Sequence, residues 1–262
     1  MNAKKEPFIV IAGPCVIESM ELLIDSALEL KKITTKYQLP FYFKSSFDKA
    51  NRSSINSFRG PGLTKGLNML SQIKEKTGCA LTTDVHLPDQ VKPVAQIVDI
   101  LQVPAYLCRQ TDLILACGES GKIVNVKKGQ FLAPDDVDLI AEKLQWAGCK
   151  NFFFTERGSC FGYHDLIVDM RGIVRMRSRK HKVIFDATHS VQRPSALGKQ
   201  TGGEEAMAFP LARAAVAIGI DGLFFETHPY PEKAMSDAST MIPLGKVDQM
   251  LACLLKIHEA VP

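Results

Sequence analysis

FIVIAGPC, residues 8–15, is a short apolar run that ends on a reactive side chain, Cys15. The same order recurs along the chain. FYFKSS (41–46) reaches Lys44, ALTTDVH (80–86) His86, DILQVPA (99–105) Gln102, IVNVKK (123–128) Lys127, FFFTERG (152–158) Arg157, VIFDATH (183–189) His189 and LFFETHP (223–229) Glu226. Runs of this length, rich in Val, Ile and Phe, read as buried strands. Eight strand-like runs that each end on a polar residue fit a parallel barrel, because such a barrel gathers its chemistry at the C-terminal ends of its strands.

Helix-like stretches occupy the intervals that a β-α-β crossover requires. SMELLIDSALELKKITTKY (19–37) alternates apolar and charged residues at helical spacing, with Ser19 or Glu18 near its start and Pro40 beyond its end. Comparable segments are 62–78, 88–97, 111–120, 134–148, 165–178, 206–219 and 247–261. The spacing predicts a (β/α)8 TIM barrel, of the α/β class, with residues 1–262 forming a single domain. Two long loops, SVQRPSALGKQTGGEE (190–205) and PYPEKAMSDASTMIP (229–243), lie past the last two strands, where barrel loops carry function or move on ligand binding.

Composition narrows the class. A net charge of +4 is mild and spread along the chain, which argues against a nucleic-acid surface. The seven cysteines form no CxxC pair, as expected in a reducing cytoplasm, and no run approaches the roughly 18 apolar residues of a membrane helix. The Gly-containing stretches GPGL (60–63) and TGGEE (201–205) lack dinucleotide or Walker spacing, so no nucleotide cofactor is expected.

Two constellations of side chains follow from the barrel reading. Lys44, Lys49, Arg52, Lys127 and Arg157 fall at or just past the second, fifth and sixth strands, where one mouth would collect them around an anionic ligand. Cys15, His189, Glu226 and Asp237 come from the first, seventh and eighth strands and the loop beyond, across the seam where a barrel closes. A thiolate, an imidazole and two carboxylates suit zinc or ferrous iron better than magnesium. His86 and Asp48 are candidate proton-transfer or positioning groups, with Asp84 placed to orient its neighbour His86.

The segments IAGPCVIES (11–19), FKSSFDKANRSS (43–54), FRGPGL (58–63), TTDVH (82–86), QVPAYLCRQTDL (102–113), NVKKGQFLAP (125–134), TERGSCFGY (155–163), FDATHSVQ (185–192) and ETHPYPEKAMSDAST (226–240) resemble the 3-deoxy-D-manno-octulosonate 8-phosphate synthases, also called 2-dehydro-3-deoxyphosphooctonate aldolases. The resemblance covers nearly the whole chain. It implies condensation of phosphoenolpyruvate with D-arabinose 5-phosphate and water, in the pathway to the inner sugar of lipopolysaccharide, by a cytoplasmic homotetramer. The related heptulosonate phosphate synthases, the nearer alternative, carry a KPRTSP-like segment where this chain reads KANRSS (49–54). A barrel that binds sugar phosphates without turning them over is the alternative from another class.

The resemblance further implies roles for single residues. Lys127 and Arg157 would take the phosphate of phosphoenolpyruvate, Lys44 and Lys49 would lie near its carboxylate, and Gln102 would line the same site. Asn51, Arg52 and Ser53 would hold the sugar phosphate, with Arg109 reaching it from a neighbouring subunit. His86, Lys127, Arg157 and Asp237 are the catalytic candidates. Members of the family divide into metal-independent enzymes with Asn at the position of Cys15 and metal-dependent ones with Cys. The resemblance therefore places this chain in the second group, with zinc, iron or manganese held by Cys15, His189, Glu226 and Asp237.

Overall fold

The computed structural model describes residues 6–52, 54–160, 164–194 and 202–261. Among these, eight parallel strands form the barrel: β1 (Ile9–Gly13), β2 (Phe41–Lys44), β3 (Ala80–Asp84), β4 (Ile100–Val103), β5 (Ile123–Lys127), β6 (Phe152–Glu156), β7 (Val183–Asp186) and β8 (Gly222–His228). Each pairs with the next in chain order. β8 returns to β1, with Ile9 opposite Gly222 and Gly13 opposite Glu226, and this closes the ring. The helices α1 (Met20–Lys36), α2 (Leu63–Thr77), α3 (Pro88–Ala95), α4 (Thr111–Glu119), α5 (Val137–Trp146), α6 (Met170–Ser178), α7 (Glu205–Ala217) and α8 (Val247–Ala260) each follow the strand of the same number. The closed (β/α)8 barrel expected from the strand runs is the observed fold.

The period of two along each strand decides which residues become a site. Alternate side chains face the helices, and there Val10, Phe43, Leu81, Leu101, Val124, Phe154, Phe185 and Leu223 are buried in the outer core. The other set faces the barrel axis. Low in the barrel these are apolar: Ile11, Ile100, Phe153, Ile184 and Phe224 pack on one another, with Ile9, Tyr42 and Ile123 against them. Two residues further up, the same face of six strands turns polar, giving Lys44, Gln102, Asn125, Thr155, Asp186 and Glu226, all buried. The apolar layer is the floor on which those polar groups stand.

Local chemistry sets the element ends. Ser19 caps α1 by accepting from the Leu22 amide at 3.2 Å. Gly78 ends α2 in the left-handed region, φ 61°, and its amide returns to the Lys74 carbonyl. Gly13 permits a close approach of backbones: a Cβ there would lie 2.2 Å from the Lys44 carbonyl oxygen. Beyond that contact the segments after β1 and β2 stay tied, Ser46 N–H donating to Cys15 O and Ile17 N–H to Ser46 O. This fixes Cys15 above the barrel.

The helix expected over 165–178 begins later than its sequence suggests. Leu166–Ile167 pairs antiparallel with Ser159–Cys160, and Asp169 starts α6 by accepting from the Arg171 amide at 3.0 Å. The cap outcompetes the apolar residues before it. Two further short pieces frame the mouth: Gln192–Arg193 pairs with Gly202–Gly203, and Ile242–Pro243 extends the sheet beside Thr227 and His228.

Candidate functional site

At the C-terminal mouth, Lys44, Lys49, Asn51, His86, Gln102, Lys127, Arg157 and His189 line one cavity of about 80 Å³, together with Asp84, Tyr106 and Gln130. Four of these are cations from β2, the loop after it, β5 and the end of β6. Lys44 donates to Glu226 Oε1 at 3.0 Å and lies 3.7 Å from Asp84 Oδ2; Lys49 lies 3.9 Å from Asp84 and 3.7 Å from Glu226. Lys127 donates to Asp186 Oδ2 at 2.6 Å, and its ammonium sits 3.7 Å from the centre of the Phe224 ring. That cation–π contact is desolvated, and contacts of this kind are worth about 2 kcal/mol.

Arg157 differs from the lysines. It is only 4% exposed, yet among the described residues Nη2 alone has a partner, the Gln192 side-chain oxygen at 2.9 Å; Nε and Nη1 are buried with none. Burial pushes its pKa down, opposed by Asp186, without approaching neutrality for a guanidinium. Two such buried donors, in a cavity of this size lined by three lysines, suit the oxygens of an anionic ligand. His86 Nδ1 and Gln130 Oε1 are likewise buried without partners.

The carboxylates hold the cations in place. Asp84 accepts from Ser46 Oγ and from Gln102 Nε2 at 2.6 Å. Gln102 in turn accepts from Asn125, and Asn125 from Thr155, so a polar belt crosses β3 to β6 above the apolar floor. Burial alone would raise the pKa of Asp84, but Lys44 and Lys49 hold it well below the ordinary carboxylate range. Asp186 is similar: burial is overcome by His189 and Lys127. Burial lowers the pKa of His86 against the pull of Asp84, so its imidazole is neutral near pH 7.

Cys15, Glu226 and Asp237 present donor atoms that all lie within 4.8 Å of one another. The Cys15 thiol lies 2.9 Å from Ser236 Oγ and 3.0 Å from Asp237 Oδ2. His189, expected as a fourth ligand, stands outside that group: its Nε2 is 3.7 Å from Glu226 Oε1, while its Nδ1 lies 2.8 Å from Asp186 Oδ2. Asp186 thus accepts from Nδ1–H, which leaves the Nε2 lone pair on the side of Glu226. Glu226 Oε2 is buried without a partner among the described residues. Burial, then Asp237 and Glu226, push the Cys15 thiol well above its usual pKa, the reverse of what a bound cation would do. An orphaned carboxylate oxygen, a thiol and an oriented imidazole are donors that fit a divalent transition metal.

Other sequence expectations fare differently. Asp48 is engaged by Arg59, whose Nε donates to it at 2.8 Å, so it has no free carboxylate for proton transfer. Asp84 does not orient His86; its oxygens are taken by Ser46 and Gln102, although both residues face the same cavity. Arg52 donates to the Phe58 carbonyl at 3.1 Å and keeps a buried Nη2 without a partner. Arg109 lies on the outer face, beside Thr111, Lys143 and Trp146. Ser53 falls outside the described residues. Asp186 and Gln192 were missed by sequence reasoning; an Asp inside VIFDATH, three residues before His189, was the available signal for the first.

The profile of the DAHP synthetase I family matches residues 1–261 of this chain. The chain is 51% identical over 262 residues to the 2-dehydro-3-deoxyphosphooctonate aldolase of Cupriavidus taiwanensis, covering 98% of this chain and 91% of that protein. It is 52% identical over 253 residues to the protein of the same name from Rickettsia bellii, covering 97% and 92%. The Fusobacterium nucleatum protein of that name is 50% identical over 257 residues, covering 98% and 92%.

Proposed function

The chain belongs to the DAHP synthetase I family, and from that premise we propose that it condenses phosphoenolpyruvate with D-arabinose 5-phosphate and water, giving 3-deoxy-D-manno-octulosonate 8-phosphate and inorganic phosphate. It is a 2-dehydro-3-deoxyphosphooctonate aldolase by its relatives, which share that name at 50–52% identity over nearly their whole length. The heptulosonate phosphate synthase reading is not favoured. The observation that carries the proposal at the level of the site is Arg157: two buried guanidinium donors without partners, in a cavity walled by Lys44, Lys49 and Lys127.

In this reading Arg157 and Lys127 take the phosphate of phosphoenolpyruvate, Lys44 and Lys49 neutralise its carboxylate, and Gln102 is held beside them by Asp84 and Asn125. Asn51, Arg52 and Ser53 hold arabinose 5-phosphate nearer the solvent. Carbon 3 of the enol attacks the aldehyde carbon, the aldehyde oxygen gains a proton, and water adds at carbon 2 with loss of one. The carbon–oxygen bond to phosphate then breaks, the phosphate leaves with that bond's electron pair, and the carbon 2 hydroxyl becomes the carbonyl as its proton passes to the phosphate. Neutral His86 would carry a proton between those oxygens, a role supported by its position on the cavity wall and by an Nδ1 without a partner among the described residues. Two anionic substrates face each other here, and the fixed ammonium and guanidinium groups offset their repulsion while holding them in order.

Cys15, His189, Glu226 and Asp237 would hold the divalent metal, zinc, iron or manganese. When bound, such an ion supplies Lewis acidity to a carbonyl oxygen or activates water. The supporting features are the orphaned Glu226 oxygen and the imidazole turned by Asp186. Removing metal with a chelator should abolish phosphate release, and restoring zinc, manganese or ferrous iron should return it; full activity after complete removal would overturn the metal reading.

Assembly as a homotetramer in the cytoplasm completes the reading. It is supported by a groove of about 570 Å³ between α4 and α5, in which Leu139 and Trp146 are exposed beside Arg109. No helix among the described residues is long and apolar enough to cross a membrane. A neighbouring copy at this groove is what would bring Arg109 to a sugar phosphate.

A further inference from the structure

We propose that Glu18 and His228 form a buried latch that sets the spacing of the donor cluster, an inference that rests on reading Cys15, His189, Glu226 and Asp237 as metal ligands. Three of those ligands come from three separate segments: Cys15 after β1, Glu226 on β8 and Asp237 in the loop beyond. Each segment sends one group to a common point behind the cluster. Glu18 lies three residues after Cys15, His228 two after Glu226, and Met235 two before Asp237.

The contacts close the arrangement. The Met235 amide donates to Glu18 Oε1 at 3.1 Å, and Glu18 Oε2 lies 3.7 Å from His228 Nε2. The side chains are 11% and 3% exposed, so the pair is largely removed from water. Tyr230 N–H donates to His228 Nδ1 at 2.9 Å, which places the ring proton on Nε2, facing the Glu18 carboxylate. Among the described residues Nε2 has no hydrogen-bond partner, and Glu18 is the charge that faces it. One carboxylate on the segment that carries Cys15 therefore hydrogen-bonds the loop backbone and faces the β8 imidazole across 3.7 Å.

The loop needs such a hold. Asp237 has φ 51°, a left-handed conformation that a non-glycine residue keeps only when its surroundings impose it. Its far side is fixed, because Thr240 N–H returns to the Asp237 carbonyl at 3.1 Å and Ile242 pairs beside Thr227. On its near side the Met235 amide is fixed to Glu18. Glu18 and His228 touch neither the cavity nor the donor atoms, so they are positioning residues. Partners of this outer kind are typically worth about 10–100-fold in metal affinity.

The test uses full-length protein stripped of metal and titrated with cobalt(II), in competition with a chromophoric chelator, while the thiolate-to-cobalt absorption is recorded. Glu18→Ala should weaken cobalt binding by about 10–100-fold and alter that band. Glu18→Gln, which keeps an acceptor for the Met235 amide in the same shape, should recover most of the affinity; it also carries the test if the alanine variant is poorly folded. Hydrogen exchange at the Met235 amide should speed up in Glu18→Ala and much less in Glu18→Gln. A merely structural role would lower the melting temperature and leave cobalt affinity and the band of the folded protein unchanged, and that result overturns the proposal. Cys15→Ala is the control. If it binds cobalt as well as the wild type, the metal reading fails and the latch with it; if it is impaired while Glu18→Ala is not, the latch alone fails.

Discussion

Replacing Arg157 with methionine keeps the unbranched stem and removes the guanidinium. In the free protein that group makes one hydrogen bond, to Gln192, and leaves Nε and Nη1 bare. If the phosphate of phosphoenolpyruvate fills both, the variant loses two charge-assisted hydrogen bonds at about 1.5–3 kcal/mol each. Together they amount to about 3–6 kcal/mol, or roughly 10²- to 10⁴-fold in kcat/KM for phosphoenolpyruvate. Stability should respond in the opposite sense to binding, since two unsatisfied buried donors disappear along with one bond. Steady-state phosphate release at varied phosphoenolpyruvate, calorimetric titration with the same ligand, and a thermal melt of the free variant separate these effects. The expected result is a large loss of phosphoenolpyruvate affinity, a small change in KM for the sugar phosphate and a melting temperature within a few degrees of the wild type. A KM for phosphoenolpyruvate within twofold of the wild type would refute the reasoning, as would unfolding that accounts for the lost activity.

Asp186→Asn removes the charge that accepts from both Lys127 and His189, and breaking a buried pair of this kind costs about 3 kcal/mol or more, roughly 6–12 °C in melting temperature. Because the folded pKa of Asp186 is depressed, its contribution is fully present above the ordinary Asp value of about 4 and is lost as pH falls below it. Melts at pH 7 and pH 2.5 should therefore show a smaller deficit for the variant at the lower pH; an equal deficit would contradict the assignment. Trp146→Glu, at the outer groove, should lower the molar mass measured by light scattering while leaving the far-ultraviolet circular dichroism unchanged. An unchanged mass would remove the groove from the assembly.

The barrel and most of its mouth were legible because strand periodicity and catalytic position are one property. A residue two steps above Ile100 or Phe224 on an inward face must be Gln102 or Glu226, so a polar residue that interrupts an apolar run marks both the strand end and the site. What remained hidden is what spacing does not encode. Asp48 and Arg59 are eleven residues apart with no periodic relation, and their pairing consumes a carboxylate that the sequence left free. Gln192 acquires its role only because the loop after β7 brings it to Arg157. Glu18 and His228 look like an N-terminal flank of α1 and a strand residue; only ring closure between β1 and β8 places them together. Asp169 shows the converse, a local capping preference that overrode the apolar pattern before α6.

The most direct measurement compares inorganic phosphate released from phosphoenolpyruvate with D-arabinose 5-phosphate and with D-erythrose 4-phosphate, each as kcat/KM on the metal-loaded protein. The expected result is turnover with the five-carbon aldose phosphate, one phosphate for each eight-carbon product, and a much lower kcat/KM with the four-carbon one. A preference for erythrose 4-phosphate, or tight binding of both substrates with no phosphate released, would contradict it.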